Sequence, residues 1–163
     1  MFSTSSHPPK DSRQPPAKEV SFDALLPAEM AVKAAETGVK KTGLDTIRTF
    51  LLAVLAGAFI SMGAIFATTV SAGGSSLPYG VVRLLAGFTF SLGLILVVVS
   101  GSELFTGNSL IIIAFANRRI KLGALLRNWG LVYLGNFAGA LITAYLMFQS
   151  RQYTFGGNTI GLA

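Results

Sequence analysis

Between Arg48 and Arg83 lie 34 residues without an Asp, Glu, Lys or Arg. Ordinary soluble domains are about a quarter charged, so a run of that length sets the solvent the chain can live in. The pattern recurs: Glu103 is the sole charge between Arg83 and Arg118, and Arg127 to Arg151 holds none between its ends. Crossing a hydrocarbon core of about 30 Å takes about 20 apolar residues of helix. Three segments qualify, at about 49–70, 84–116 and 129–148. The reading is an all-α membrane protein with three spans.

Where the charges do fall predicts orientation. Eleven of the 13 Lys and Arg lie in the first 48 residues or between 117 and 128. With three spans these two regions share one side of the membrane, and the positive-inside rule makes that side cytoplasmic. Tyr79, Tyr145 and Tyr153 then fall at the outer interface, and Phe50 and Trp129 at the inner one, as aromatic belts. The formal net charge of +6 is thus a topology label rather than a nucleic-acid site. No cysteine and a single histidine, His7, leave no thiolate nucleophile and no metal-ligand cluster. An enzyme is not expected, nor a cofactor.

The region before the first span divides in two. Residues 1–20, with Pro8-Pro9 and Pro15-Pro16, read as a disordered tail, and no apolar stretch of a signal peptide precedes residue 48. Within 21–48, the segment FDALLPAEMAVKAAETGVKK reads as a short amphipathic helix on the membrane face. Pro27 and Glu29 suit its first turn, Ala28, Ala31, Val32 and Ala35 share one face, and Gly38 is a plausible stop.

The second span, 84–116, is 33 residues long. As one helix it would measure about 50 Å, too long for the bilayer. Its middle reads Gly101-Ser102-Glu103-Leu104-Phe105-Thr106-Gly107-Asn108-Ser109, rich in cap and turn formers. The expectation is a half-helix over 84–100, an irregular loop over 101–109 set toward the cytoplasm, and a second half-helix over 110–116. Irregular backbone at membrane depth is tolerated only inside protein or along a watery cavity. Broken helices of this kind build transporter sites, and their free N–H groups suit anions. Thr106, Asn108 and Ser109 can cap the second half or face a solute. Glu103 is an intramembrane acid; it either holds the loop by accepting N–H bonds or lies on a solute path.

GSELFTGN resembles the signature of the formate/nitrite transporter family. FSLGLILVVVSGSELFTGNSLIIIA, 90–114, is similar to that family's second span, NWGLVYLGNFAGAL, 128–141, to its third, and FDALLPAEMA, 22–31, to the start of its formate channels. The resemblance covers about 22–163 and implies an aquaporin-like half of three spans. It further implies a channel for formate or a similar small monovalent anion, passive or proton-linked, in the bacterial inner membrane. Nitrite, hydrosulfide and lactate are the alternative cargoes. The family forms homopentamers in which each protomer has its own pore. By resemblance Leu104, Phe105 and Thr106 occupy the pore loop, with Leu104 at the cytoplasmic constriction and Thr106 at the centre of the path. Phe90 falls at the periplasmic constriction, and Gly101, Glu103, Gly107 and Asn108 shape the loop. Family members carry six spans in two inverted halves, the second with a pore histidine that has no counterpart here. The chain is therefore expected to be the first half of a longer protein, or a truncated, non-conducting assembly subunit. Gly135 and Gly139 form a GxxxG pair in the third span, and Gly57, Ser61 and Ala64 line the first; such small residues bring helices together.

Overall fold

The computed structural model describes residues 26–72 and 74–162, and every regular element among them is helical. The proposed disordered tail, with His7, and the first residues of the 22–41 segment lie outside the described residues. α1 spans Pro27–Thr42, α2 Thr46–Ala72 and α3 Tyr79–Ser100. The short helices α4, Phe105–Asn108, and α5, Ile112–Ala116, are joined by a 3-10 turn at Ser109–Ile111. α6 runs Leu122–Gln149 and α7 Thr159–Leu162. α2, α3 and α6 have 27, 22 and 28 residues, about 40, 33 and 42 Å of helix. All three are long and apolar enough to cross a membrane.

These helices outrun the apolar windows from which they were expected. α3 begins at Tyr79 rather than 84, and α6 at Leu122 rather than 129. A charge marks the edge of the hydrocarbon, not the end of a helix. Arg83 stays inside α3 by bonding backward along it: its Nε donates to the Tyr79 hydroxyl at 2.9 Å, and its guanidinium lies 5.1 Å over that ring. The backbone sets the true starts. Pro78 precedes α3, extended Lys121 precedes α6, and the Asp45 carboxylate caps α2 by accepting the Ile47 and Arg48 N–H groups.

α2 is the centre of the bundle, with α3 on one side and α6 on the other. Both seams are made by absent side chains. A Cβ on Gly139 would strike the Val54 carbonyl, one on Gly57 the Asn136 backbone, and one on Gly135 the Ala53 side chain. On the other seam, Gly63 and Gly93 face each other, and a Cβ on either would come within 2.7 Å of a carbonyl of the opposite helix. The GxxxG pair therefore packs α6 on α2 within the chain. Ser61 and Ala64 lie off this seam and line a groove with Ala144, Met147 and Ile160.

α1 corrects one expectation. Gly38 does not stop the helix, which continues to Thr42; it is buried where α1 crosses the second half-helix, and a Cβ there would lie 2.9 Å from the Ala114 Cβ. Ala28, Ala31 and Val32 are exposed, and Ala35 and Gly38 are the buried pair. On that side the helix packs by its smallest residues, because its neighbour there is backbone and methyl. Its first turn is fixed by Pro27 and by Glu29, whose carboxylate accepts the Leu26 N–H at 3.0 Å.

Candidate functional site: the break between α3 and α4

α3 stops for a local reason. Gly101 takes φ +64°, and the N–H groups of Gly101 and Ser102 turn back to the carbonyls of Val98 and Val97. That is the Schellman arrangement, which a side chain at Gly101 would strain. The chain then continues through Glu103 to Leu104, which is extended. The Glu103 N–H donates to the Leu52 carbonyl of α2 at 3.2 Å. Asn136, halfway along α6, holds the rest. Its Oδ1 accepts the Phe105 N–H at 2.9 Å, and its Nδ2 donates to the carbonyls of Glu103 at 2.9 Å and Ala53 at 2.8 Å. One amide side chain thus satisfies backbone groups that lipid could not.

This changes the extent of the break. Helix resumes at Phe105, not at 110, so the irregular stretch is 101–104 rather than 101–109. Thr106, Gly107 and Asn108 are poor helix formers, but with Asn136 supplying a partner for the leading N–H the turn forms through them. That N–H is consequently not open to an anion. The weakness of the sequence shows instead as the 3-10 turn at Ser109–Ile111, where the Ser109 hydroxyl donates to the Thr106 carbonyl.

Beside the break lies a buried polar cluster. Glu103 and Asn108 are 3% and 0% exposed. Lys41 Nζ donates at 2.9 Å to both Glu103 Oε1 and Asn108 Oδ1. Asn108 Nδ2 donates to Glu103 Oε2 at 2.6 Å and to Asn128 Oδ1 at 2.9 Å. The Trp129 indole N–H donates to the Asn108 carbonyl at 2.9 Å, and the Phe105 ring meets Trp129 and Tyr133 edge-on. α1, the loop, α4 and α6 are therefore tied at one place, and no buried side-chain N or O among the described residues lacks a partner. Both Glu103 oxygens are occupied, Oε1 by the Lys41 ammonium and Oε2 by the Asn108 amide.

Five of the expected site residues meet at one cavity. A space of about 410 Å³ is lined by Gly101, Glu103, Leu104, Thr106 and Gly107, with Lys41 and with Leu94, Val97 and Val98 of α3. On the far side of Leu104 a second space, about 340 Å³, lies among Phe105, Tyr133, Asn136, Phe137 and Ile60. Leu104 lines both. Asn108 lines neither and is enclosed in the polar cluster. Phe90 lies apart from both spaces, 40% exposed, on the helical face that continues through Leu94 and Val97 into the larger one. Ten residues of α3 lie between it and Gly101, a rise of about 16 Å.

Sequence reasoning missed Lys41, Asn128 and Asn136 as parts of the site, and took Trp129 as an interfacial ring only. Two of these left a signal: an amide in an apolar span turns inward, as Asn128 and Asn136 do. Lys41 left none, being 62 residues from Glu103 and one of several basic residues before the first span.

Known proteins resemble this chain in sequence and in helical fold. The family model described as formate/nitrite transporter matches residues 28–163. The formate channel FocA of Escherichia coli K12 is 46% identical over 141 residues, covering 86% of this chain and 50% of that protein. A solved pentameric formate channel with formate bound superposes with a TM-score of 0.63 at 40% identity, over 72% of this chain and 46% of its own. A second solved structure, an FNT family ion channel, gives 0.68 at 26% identity over 77% and 51%. The chain spans about half the length of the curated relatives it matches. Sequence match and shared helical architecture agree: this chain belongs to the formate/nitrite transporter family.

Proposed function

We propose that this chain forms one half of a membrane pathway for formate or a similarly small monovalent anion, with Leu104 at its inner constriction. The observation that carries the reading is the position of Leu104, a single apolar side chain lining two cavities on a loop held by hydrogen bonds. An apolar constriction excludes hydrated ions by dewetting, while Thr106 in the larger cavity offers a hydroxyl to a bare anion. Glu103 would repel an anion if its charge were free, but Lys41 and Asn108 take up both its oxygens. Phe90 fits an outer constriction further along the same face of α3. The relatives support the cargo, being described as formate channels, one with formate bound. Nitrite, hydrosulfide and lactate suit the same small, mostly apolar path. The pentameric relative supports a pentamer here too. Segregated basic residues support a multi-pass inner-membrane protein with its N-terminus in the cytoplasm.

The test is Leu104→Ala in the full-length protein that contains this chain, reconstituted into liposomes. Formate flux should rise severalfold, and discrimination against larger monocarboxylates should fall. Flux and selectivity equal to wild type would remove Leu104 from the constriction.

A further inference from the structure

The turn between α5 and α6 carries positive charge at two positions where the backbone disfavours it. α5 ends in a Schellman arrangement: the Arg118 N–H returns to the Phe115 carbonyl at 2.8 Å, and the Arg119 N–H to the Ala114 carbonyl at 2.9 Å. Arg118 takes the left-handed position of that motif, at φ +56°, where glycine is the unstrained residue. Lys121 then stands at the start of α6, a helix end that disfavours cations, and no acid follows it in the first turn. Sidedness of insertion needs basic residues in the turn, not at these two positions. The exposed Asn117, at an ordinary φ of −80°, would carry one without strain.

The described part of the chain leaves these charges unanswered. From Leu104 to Ala163 the sequence holds no Asp or Glu. The one ion pair among the described residues is Lys41–Glu103, and Asp45 is taken up in capping α2. Arg127 has an internal role, its Nη2 donating to the Thr46 hydroxyl at 2.6 Å and so tying α6 to the start of α2. Arg118, Arg119 and Lys121 are exposed, and none of them lines either cavity at Leu104.

Helix length sets their depth. With the apolar stretch 129–148 filling a hydrocarbon core of about 30 Å, the first seven residues of α6 rise a further 10 Å or so. The headgroup layer on each side is about 5–8 Å thick, so the turn emerges at its outer edge, within reach of the phosphates for long basic side chains. Leu122 and Leu126, four apart and both exposed, give this segment an apolar side next to the cations. We propose that the turn is a docking surface for anionic phospholipid, with Arg118, Arg119 and Lys121 holding the headgroup phosphates on the α1 side of the membrane. A guanidinium offers phosphate two N–H groups at once, a gain that offsets the strain at Arg118.

The experiment measures the melting temperature of the full-length protein that contains this chain, in neutral detergent micelles doped with phosphatidylglycerol or with phosphatidylcholine. Wild type should melt several degrees higher with phosphatidylglycerol, and high salt should shrink that increment. Arg118→Gly separates strain from binding: it should melt above wild type with phosphatidylcholine, yet gain fewer degrees from phosphatidylglycerol. Arg118→Gln combined with Arg119→Gln and Lys121→Gln should lose most of the increment, while Arg151→Gln, beyond the opposite end of α6, should keep it. Equal melting temperatures of wild type in the two lipids overturn the proposal, as does a full increment in Arg118→Gly or in the triple variant. Inorganic phosphate that reproduces the increment in phosphatidylcholine micelles overturns lipid as the occupant.

Discussion

Asn136 shows how much one side chain can carry in a bilayer. It serves the Phe105 N–H and the Glu103 and Ala53 carbonyls at once. Asn136→Ala strands those groups, at about 1–3 kcal/mol for each one left buried and unpaired. The variant should melt well below wild type in detergent, and an unchanged melting temperature would show that the loop is held by other means. The Lys41–Glu103 pair makes a sharper case. Lys41→Met leaves a buried carboxylate without its cation, a loss of about 3–5 kcal/mol. Adding Glu103→Gln to Lys41→Met should recover part of that loss, because the uncompensated charge is gone; a double variant no better than Lys41→Met would count against the charge as the cause. At this scale the sequence was readable only in part. Glu103 stood out as the one acid after residue 45, and Gly101 to Asn108 as polar text inside an apolar span. Lys41 was hidden among other basic residues, because a partner 62 residues away leaves no periodic trace.

Helices were legible from hydropathy, their ends much less so. Apolar windows report where lipid begins, whereas helix ends follow from Pro78, Asp45 and the left-handed Gly101. The restart at Phe105 was not legible because its partner, Asn136, belongs to a different helix. The buried side of α1 was not legible for a related reason: it packs through Ala35 and Gly38 on the broken helix, a partner far along the sequence. The glycine seam allows a contrast within one helix. Gly→Ala in a helix interior ordinarily gains about 0.5–1 kcal/mol. At Gly130, where a Cβ would meet nothing within 4 Å, Gly130→Ala should leave the melting temperature level or slightly raised. At Gly139 the same change drives a methyl into the Val54 carbonyl, and Gly139→Ala should lower it clearly. Equal behaviour of the two variants would mean that α2 and α6 separate without consequence.

For the whole molecule, the distribution of charge predicts the direction of insertion. The chain has no cysteine, so single cysteines report their side directly. In intact cells Ser76→Cys should react with a membrane-impermeant maleimide and Asn117→Cys should not; the reverse pattern would invert the proposed topology. The hydrogen bonds at the break also set an order in time. Phe105 and Glu103 find their partner 31 and 33 residues further along the chain, in α6. A chain emerging from the ribosome therefore presents this stretch to the membrane before the amide that satisfies it exists. Bare backbone of that kind is poorly tolerated in hydrocarbon, so the stretch has to wait at the aqueous side or inside the translocation machinery until α6 arrives. Among the segments described, the loop is thus the last to settle: the helices on either side of it enter first, and it is drawn in when Asn136 arrives.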